Sequence, residues 1–200
     1  VSARVWLVGE HNPYGSKPRY ALFPYPERSA DGRLLAILGM RTGDYMRAFE
    51  RRNLITDEAK SPRWSAPRAR EAATAIAMEA AAEDPFILLG RRVCDAFGLY
   101  GVQLPCCVLG PSGPTGEFRR TVVAIPHPSG RCRDWNDPGM IGRVRDLVRA
   151  RIPQVADAIG ADDAPASRLA STDCTTTRPA RCSNCGATVE GEHCPDCGPP

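Results

Sequence analysis

Three short apolar runs constrain this chain more than anything else in it. Arg4-Val5-Trp6-Leu7-Val8, Pro85-Phe86-Ile87-Leu88-Leu89-Gly90 and Thr121-Val122-Val123-Ala124-Ile125 lack the polar alternation of a half-solvated strand. Each reads as a strand buried on both faces, and such strands belong to mainly parallel sheets covered by helices on either side. Residues 102–109 add a fourth strand candidate, joined to the last run by a Gly/Pro turn at 110–116. The intervening segments read as the covering helices. Leu34, Leu35, Ile37 and Leu38 form a short apolar face that Gly39 ends. Thr42 or Asp44 caps a second helix carrying Tyr45, Met46 and Phe49. Ala66–Ala82 is alanine-dominated with Pro67 in its first turn. Val93, Ala96 and Phe97 precede a stop at Gly98. From Met140 to Ile159 the apolar positions 141, 144, 148, 152 and 155 form a stripe, with Arg143, Arg145, Arg149 and Arg151 mostly off it and Pro153 kinking the helix. The expected architecture is three-layer α/β/α around a mainly parallel four-stranded sheet.

Composition sets the context. No stretch reaches the roughly 18 apolar residues of a membrane helix. The first residues enter a strand without a basic and apolar leader, so a cytoplasmic chain is expected. There, nine cysteines point to metal binding more than to disulfides. Residues 1–160 hold 23 Lys+Arg against 17 Asp+Glu, and residues 161–200 hold 3 against 6. The body is therefore basic and the tail acidic. A basic body is compatible with a polyanionic partner without establishing one.

The tail divides further. Residues 161–180 are rich in Ala, Ser, Thr and Asp without periodicity and read as a flexible linker between a 1–160 domain and a 181–200 ribbon. Cys182-x-x-Cys185 and Cys194-x-x-Cys197 stand eight residues apart, which is the spacing of two zinc knuckles; Gly186 and Gly198 allow tight turns after each. Four thiolates leave no open position, so a structural Zn²⁺ is expected, with a redox or disulfide pair as the competing possibility. The ribbon's acidic balance favours a protein partner over DNA.

Polar residues cluster where two of the strands end. Gly9-Glu10-His11-Asn12-Pro13-Tyr14 and Pro126-His127-Pro128-Ser129-Gly130 hold two of the three histidines. Ligand crevices of open α/β sheets lie outside the carboxyl ends of the strands, so an active site is expected there.

These segments, in order, resemble the motifs of the uracil-DNA glycosylase superfamily across residues 4–136. Gly9–Tyr14 is similar to the first motif, with His11 as an extra residue. Gly32-Arg33-Leu34-Leu35 resembles the helix start that follows, and Arg52-Asn53-Leu54 the strand end that carries a base-reading asparagine. Phe86–Gly90 resembles the central strand, and His127-Pro128-Ser129-Gly130 the second motif. The resemblance implies a monofunctional DNA glycosylase that hydrolyses the N-glycosidic bond of uracil or a related modified pyrimidine. Asn12 then holds the attacking water, or merely forms an Asx-turn before Pro13. His127 donates to the base oxygen, or only caps a strand end. Glu10 and His11 contribute to the acid–base machinery. Asn53 reads the base edge, or serves as a helix C-cap. Tyr14 excludes a C5 methyl, and Phe23 is a stacking platform or a core residue. Ser129, Gly130, Arg131 and Arg133 contact phosphates. Neither motif carries a lysine, so no Schiff-base lyase is expected. Cys94, Cys106, Cys107 and Cys132 lack paired spacing, and no cysteine pair precedes the first motif, so neither an iron–sulfur cluster nor a catalytic cofactor is expected. The expected partner is DNA, bound by a monomer that does not associate with membranes. Two other functions fit the same residues: a catalytically silent base-binding protein that recruits partners through its ribbon, and an enzyme of free nucleosides or nucleotides.

Overall fold

The computed structural model describes residues 3–11, 20–25, 29–56, 64–111 and 119–160, and the backbone of two short strands at 180–181 and 188–189. The chain divides into two compact units, Val1–Ala164 and Pro165–Pro200.

The first unit contains β1 (Val5–His11), α1 (Ala30–Leu38), α2 (Thr42–Ala48), β2 (Phe49–Ile55), α3 (Ala66–Glu79), β3 (Phe86–Leu89), α4 (Arg91–Ala96), β4 (Cys106–Pro111), β5 (Arg119–Ile125), α5 (Met140–Arg151) and α6 (Pro153–Ala156). Its sheet has five strands in the order β2-β1-β3-β5-β4. β1 pairs in parallel with β2 and β3, and β3 with β5; β4 alone runs antiparallel, against β5. Four carboxyl ends therefore share one rim, and the connections after β1, β2, β3 and β5 all leave from it.

The fifth strand corrects the four-stranded expectation. Residues 49–55 continue from α2 as β2 and not as more helix. Glu50, Arg51 and Arg52 hid it, because charges on an edge strand interrupt the apolar run that marks a central one. Two smaller expectations change as well. No side chain caps α2: its N-cap is Arg41, and Asp44 instead bridges Arg41 and Arg47. The strand expected from 102 starts at Cys106.

Alternation along the central strands fills both faces. Trp6, Val8, Phe86, Leu88, Val122 and Ala124 pack with Ala69, Ala73 and Ile76 of α3 and Val93 and Cys94 of α4. Trp6 stacks on Phe86 at 6.0 Å between centroids, and its indole Nε1 donates to Asp84 Oδ2 at 2.9 Å. Burial raises the Asp84 pKa, but the donors Trp6, Arg4 N and Ala81 N outweigh it and hold the carboxyl below its ordinary range.

The intervening residues Leu7, Ile87, Leu89, Val123 and Ile125 are fully buried on the opposite face, where α5 meets β5 and α1 meets α5. Ser29 caps α1 by accepting from Gly32 N at 3.0 Å, and Gly39, at φ +64°, ends it in the left-handed conformation that glycine tolerates. Arg145 also departs from expectation. It is buried, and its Nε donates to Ile37 O at 2.7 Å while Nη2 donates to Ala36 O at 3.1 Å. It thereby supplies a donor to the Ile37 carbonyl in the last turn of α1 and a second donor to that of Ala36, which also accepts from Gly39 N.

In the second unit, β6 (Ala180–Arg181) and β7 (Thr188–Val189) pair antiparallel, Ala180 opposite Val189 and Arg181 opposite Thr188. Cys182, Cys185, Cys194 and Cys197 lie outside the described residues. Among the described residues, no helix is long and apolar enough to cross a membrane.

Candidate functional site

The carboxyl rim begins at the edge strand. Gly9 of β1 pairs with Asn53 of β2, and the Asn53 side chain turns into the protein. Asn53 is only 5% exposed, yet among the described residues neither its Oδ1 nor its Nδ2 has a hydrogen-bond partner. An unpaired buried polar group costs about 1–3 kcal/mol, so this amide is buried at a cost to stability. Gly9 provides its space: a Cβ at position 9 would stand 2.6 Å from Asn53 Oδ1 and 2.8 Å from Leu22 Cδ2.

Leu22 is itself in an unusual conformation, with φ +49°, which costs a non-glycine residue roughly 1–2 kcal/mol. Buried contacts on its own backbone hold it there. Its carbonyl accepts from Tyr45 Oη at 3.0 Å, and the preceding carbonyl of Ala21 accepts from Arg51 Nη1 at 3.2 Å. Asp31 belongs to the same buried cluster. Burial pushes its carboxyl up to about 6, partly offset by the Arg51 guanidinium.

Three strands across from β2, β5 delivers His127. The Gly90 amide donates to Ile125 O at 2.8 Å, and Gly90 has φ +90°; a Cβ there would reach 2.9 Å from the His127 Cβ. Only glycine lets the end of β3 and the histidine pack this closely. The Ser129 amide donates to His127 Nδ1 at 3.2 Å, and Trp135 Nε1 donates to the His127 carbonyl at 2.8 Å. With Nδ1 an acceptor, the proton of the neutral ring resides on Nε2. Burial lowers the His127 pKa; the Glu10 carboxylate opposes this, while His11 and Arg92 add to it, and the net shift is downward. The ring is therefore a neutral Nε2–H donor at pH 7.

No protein-family model matches this chain, and no curated protein matches it. The function must be read from the rim itself.

Glu10 lies between the two ends of the rim. Its side chain is 16% exposed, and its Oε2 receives Arg92 Nη1 at 3.4 Å. Arg92 lies 5.7 Å above the Trp64 ring, so one guanidinium ties the first-motif carboxylate to α4. Glu10, Asn53 and His127 thus lie along one rim with His11, which is exposed at the last residue of β1. Glu10 and His11 extend β1 beyond the apolar Arg4–Val8 run. Phe23 is half-buried, edge-on to Tyr20 at 6.2 Å, and follows the Leu22 that packs against Gly9. Ser129 is half-buried, with its amide already engaged by His127, whereas Gly130, Arg131 and Arg133 are exposed. Asn12 and Tyr14 lie outside the described residues.

The sequence reading missed Arg92 and Trp135 as parts of the site. A signal for Arg92 was present: a glycine and two arginines directly after an apolar strand. Trp135 had none, because its role is to fix the His127 backbone from eight residues away. The thiols of Cys94, Cys106 and Cys132 are all raised in pKa by burial, that of Cys94 to about 12, so none is a ready nucleophile. The rim offers a planar amide with free donor and acceptor, a neutral imidazole donor and a carboxylate. This set suits a flat heterocycle carrying its own donor and acceptor edge.

Proposed function

We propose that the protein is a DNA glycosylase that hydrolyses the N-glycosidic bond of uracil or a related modified pyrimidine in DNA. The observation that carries this reading is the buried Asn53 amide, whose two polar atoms have no partner among the described residues. An extruded pyrimidine supplies the complement: a ring N–H for Oδ1 and a carbonyl for Nδ2. The resemblance of the two rim segments to uracil-DNA glycosylase motifs supports the same reading independently.

His127 performs the main electrostatic work. When the bond between the base nitrogen and C1′ breaks, its electron pair stays with the base and spreads onto the carbonyl oxygens. A neutral Nε2–H aimed at one of them stabilises that charge as it develops. The sugar then takes water at C1′. Asn12 orients this water, and Glu10, with His11 beside it, accepts its proton. Phe23 stacks on the base and Tyr14 excludes a C5 methyl. Ser129, Gly130, Arg131 and Arg133 track phosphates along the strand.

The second unit is proposed to hold a structural zinc on Cys182, Cys185, Cys194 and Cys197. The antiparallel pairing of β6 with β7 supports this, because the residues between those strands include Cys182 and Cys185. The ribbon's role is recruitment of a protein partner.

The test is base release. Oligonucleotides carrying uracil, thymine mismatches or modified pyrimidines are incubated with the protein and then treated with alkali. Strand breaks at the uracil or at one modified pyrimidine are expected. No breaks in any substrate would overturn the reading, and binding without release would replace it with a silent base-binding protein.

A further inference from the structure

Arg33 is the arginine at the rim whose environment the roles described so far leave unexplained. Its guanidinium rests against Gly130, where a Cβ would stand 2.8 Å from Nη1 and 3.7 Å from Cζ. Among the described residues the buried Nε has no hydrogen-bond partner and Arg33 faces no carboxylate. The Nε atoms of Arg51 and Arg120 are also buried without a partner among the described residues, but both side chains donate through their Nη atoms to backbone carbonyls, which Arg33 does not. Arg52, Arg92 and Arg143 each meet a carboxylate, and Arg120 and Arg145 donate to backbone carbonyls. A partly desolvated guanidinium without an acceptor is costly unless a ligand supplies one.

Its position restricts that ligand. Arg33 stands in the first turns of α1, which follows the first motif, and lies over the turn that begins at His127. It is thus beside the donor assigned to the base, but on the exposed Gly130 side of that donor. A nucleoside with its base in the crevice must direct its sugar and phosphate outward. The planar fork of a guanidinium matches phosphate oxygens in pairs.

We propose that Arg33, seated on Gly130, binds a phosphate group attached to the nucleoside whose base enters the crevice. Gly130 is small so that the guanidinium can lie across the turn. The proposal rests on the glycosylase reading for the identity of the nucleoside, but not for the anion site itself. Phosphate of this kind has two sources, a DNA strand or a free nucleotide, and the experiment separates them.

Affinity is measured for a single-stranded oligonucleotide with one central deoxyuridine, and for a set in which each flanking phosphate in turn is a neutral methylphosphonate. Deoxyuridine and its 5′-monophosphate are measured in parallel. In wild-type protein, neutralising one flanking phosphate is expected to weaken binding about tenfold, the scale of a charge-assisted hydrogen bond. Arg33→Gln should lose the same factor and become insensitive to that substitution. Gly130→Ala is the companion variant. Gly130 is not in the left-handed conformation, and among the described residues the close contact an added methyl group meets is the end of the Arg33 side chain, which can give way. It should fold normally, by circular dichroism, and lose the same phosphate. Arg33-dependent binding of the monophosphate without strand binding would identify a free nucleotide as the source. Base release is read in the same samples, so the two ideas fail separately. Coupling without release would overturn the glycosylase reading and keep the anion site. Release with Arg33→Gln still sensitive to every methylphosphonate would overturn the anion site alone.

Discussion

Gly9 and Asn53 pair across adjacent parallel strands, and the glycine leaves the space in which the asparagine amide stands unbonded. This relationship separates stability from function. Asn53→Leu removes two buried polar atoms without partners and keeps a similar volume. The variant should unfold at an equal or higher urea midpoint, because a desolvation cost of about 1–3 kcal/mol disappears, while base release falls about 100-fold or more. Gly9→Ala should do the reverse to stability, costing about 1–3 kcal/mol through overpacking against Asn53 and Leu22. A marked loss of stability in Asn53→Leu would mean that the amide serves the fold.

His127→Ala should slow single-turnover release about 100-fold or more, the scale of one preorganised donor. Stability responds to the same ring. Its folded pKa lies below the ordinary value of 6.5, so below pH 6.5 the unfolded chain binds the proton more readily and stability drops. His127→Gln should lack that component of the decline. Urea unfolding of both proteins at pH 7.5, 6.5 and 5.5 measures it, and parallel curves would count against a buried neutral histidine.

Asp31 titrates with the opposite sign. Its carboxyl is raised from 3.8 to about 6, so the native state holds the proton more tightly and stability is lost as pH rises from about 4 through 6. Asp31→Asn should therefore be more stable than wild type at pH 7.5, by about 1–3 kcal/mol. The gain should vanish near pH 4. Calorimetric melting of both proteins across this range checks it, and a variant less stable at pH 7.5 would show that the Arg51 attraction dominates.

Cys182→Ser or Cys197→Ser should release bound zinc, read by metal analysis of the purified protein. Melting of the Val1–Ala164 unit should stay within about 0.5 kcal/mol of wild type, because the two units are separate in their internal contacts. Absence of zinc from wild-type protein purified without chelator would remove the metal assignment. An equal loss of stability in the first unit would show that the ribbon is integral to it.

The sequence by itself determined the parallel core. β1, β3 and β5 were legible because strands buried on both faces carry unbroken apolar runs, and Gly39 marked the end of α1 because a helix needs a left-handed residue there. It also marked the rim, since polar residues directly after such strands have no place in the layers. Tertiary structure decided the rest. β2 was hidden behind Glu50, Arg51 and Arg52, whose charges are tolerated only because the strand lies at an edge. Arg145 looked solvent-facing by period, yet it is buried because the end of α1 presents carbonyls to it. The burial of the Asn53 amide, the tautomer of His127 and the seat of Arg33 on Gly130 depend on partners 44 to 97 positions away in sequence, or on turn geometry that residue types do not encode. Periodicity reports which face of an element is dry. It does not report which polar group in that dry region has been left without a partner, because that depends on every neighbour at once.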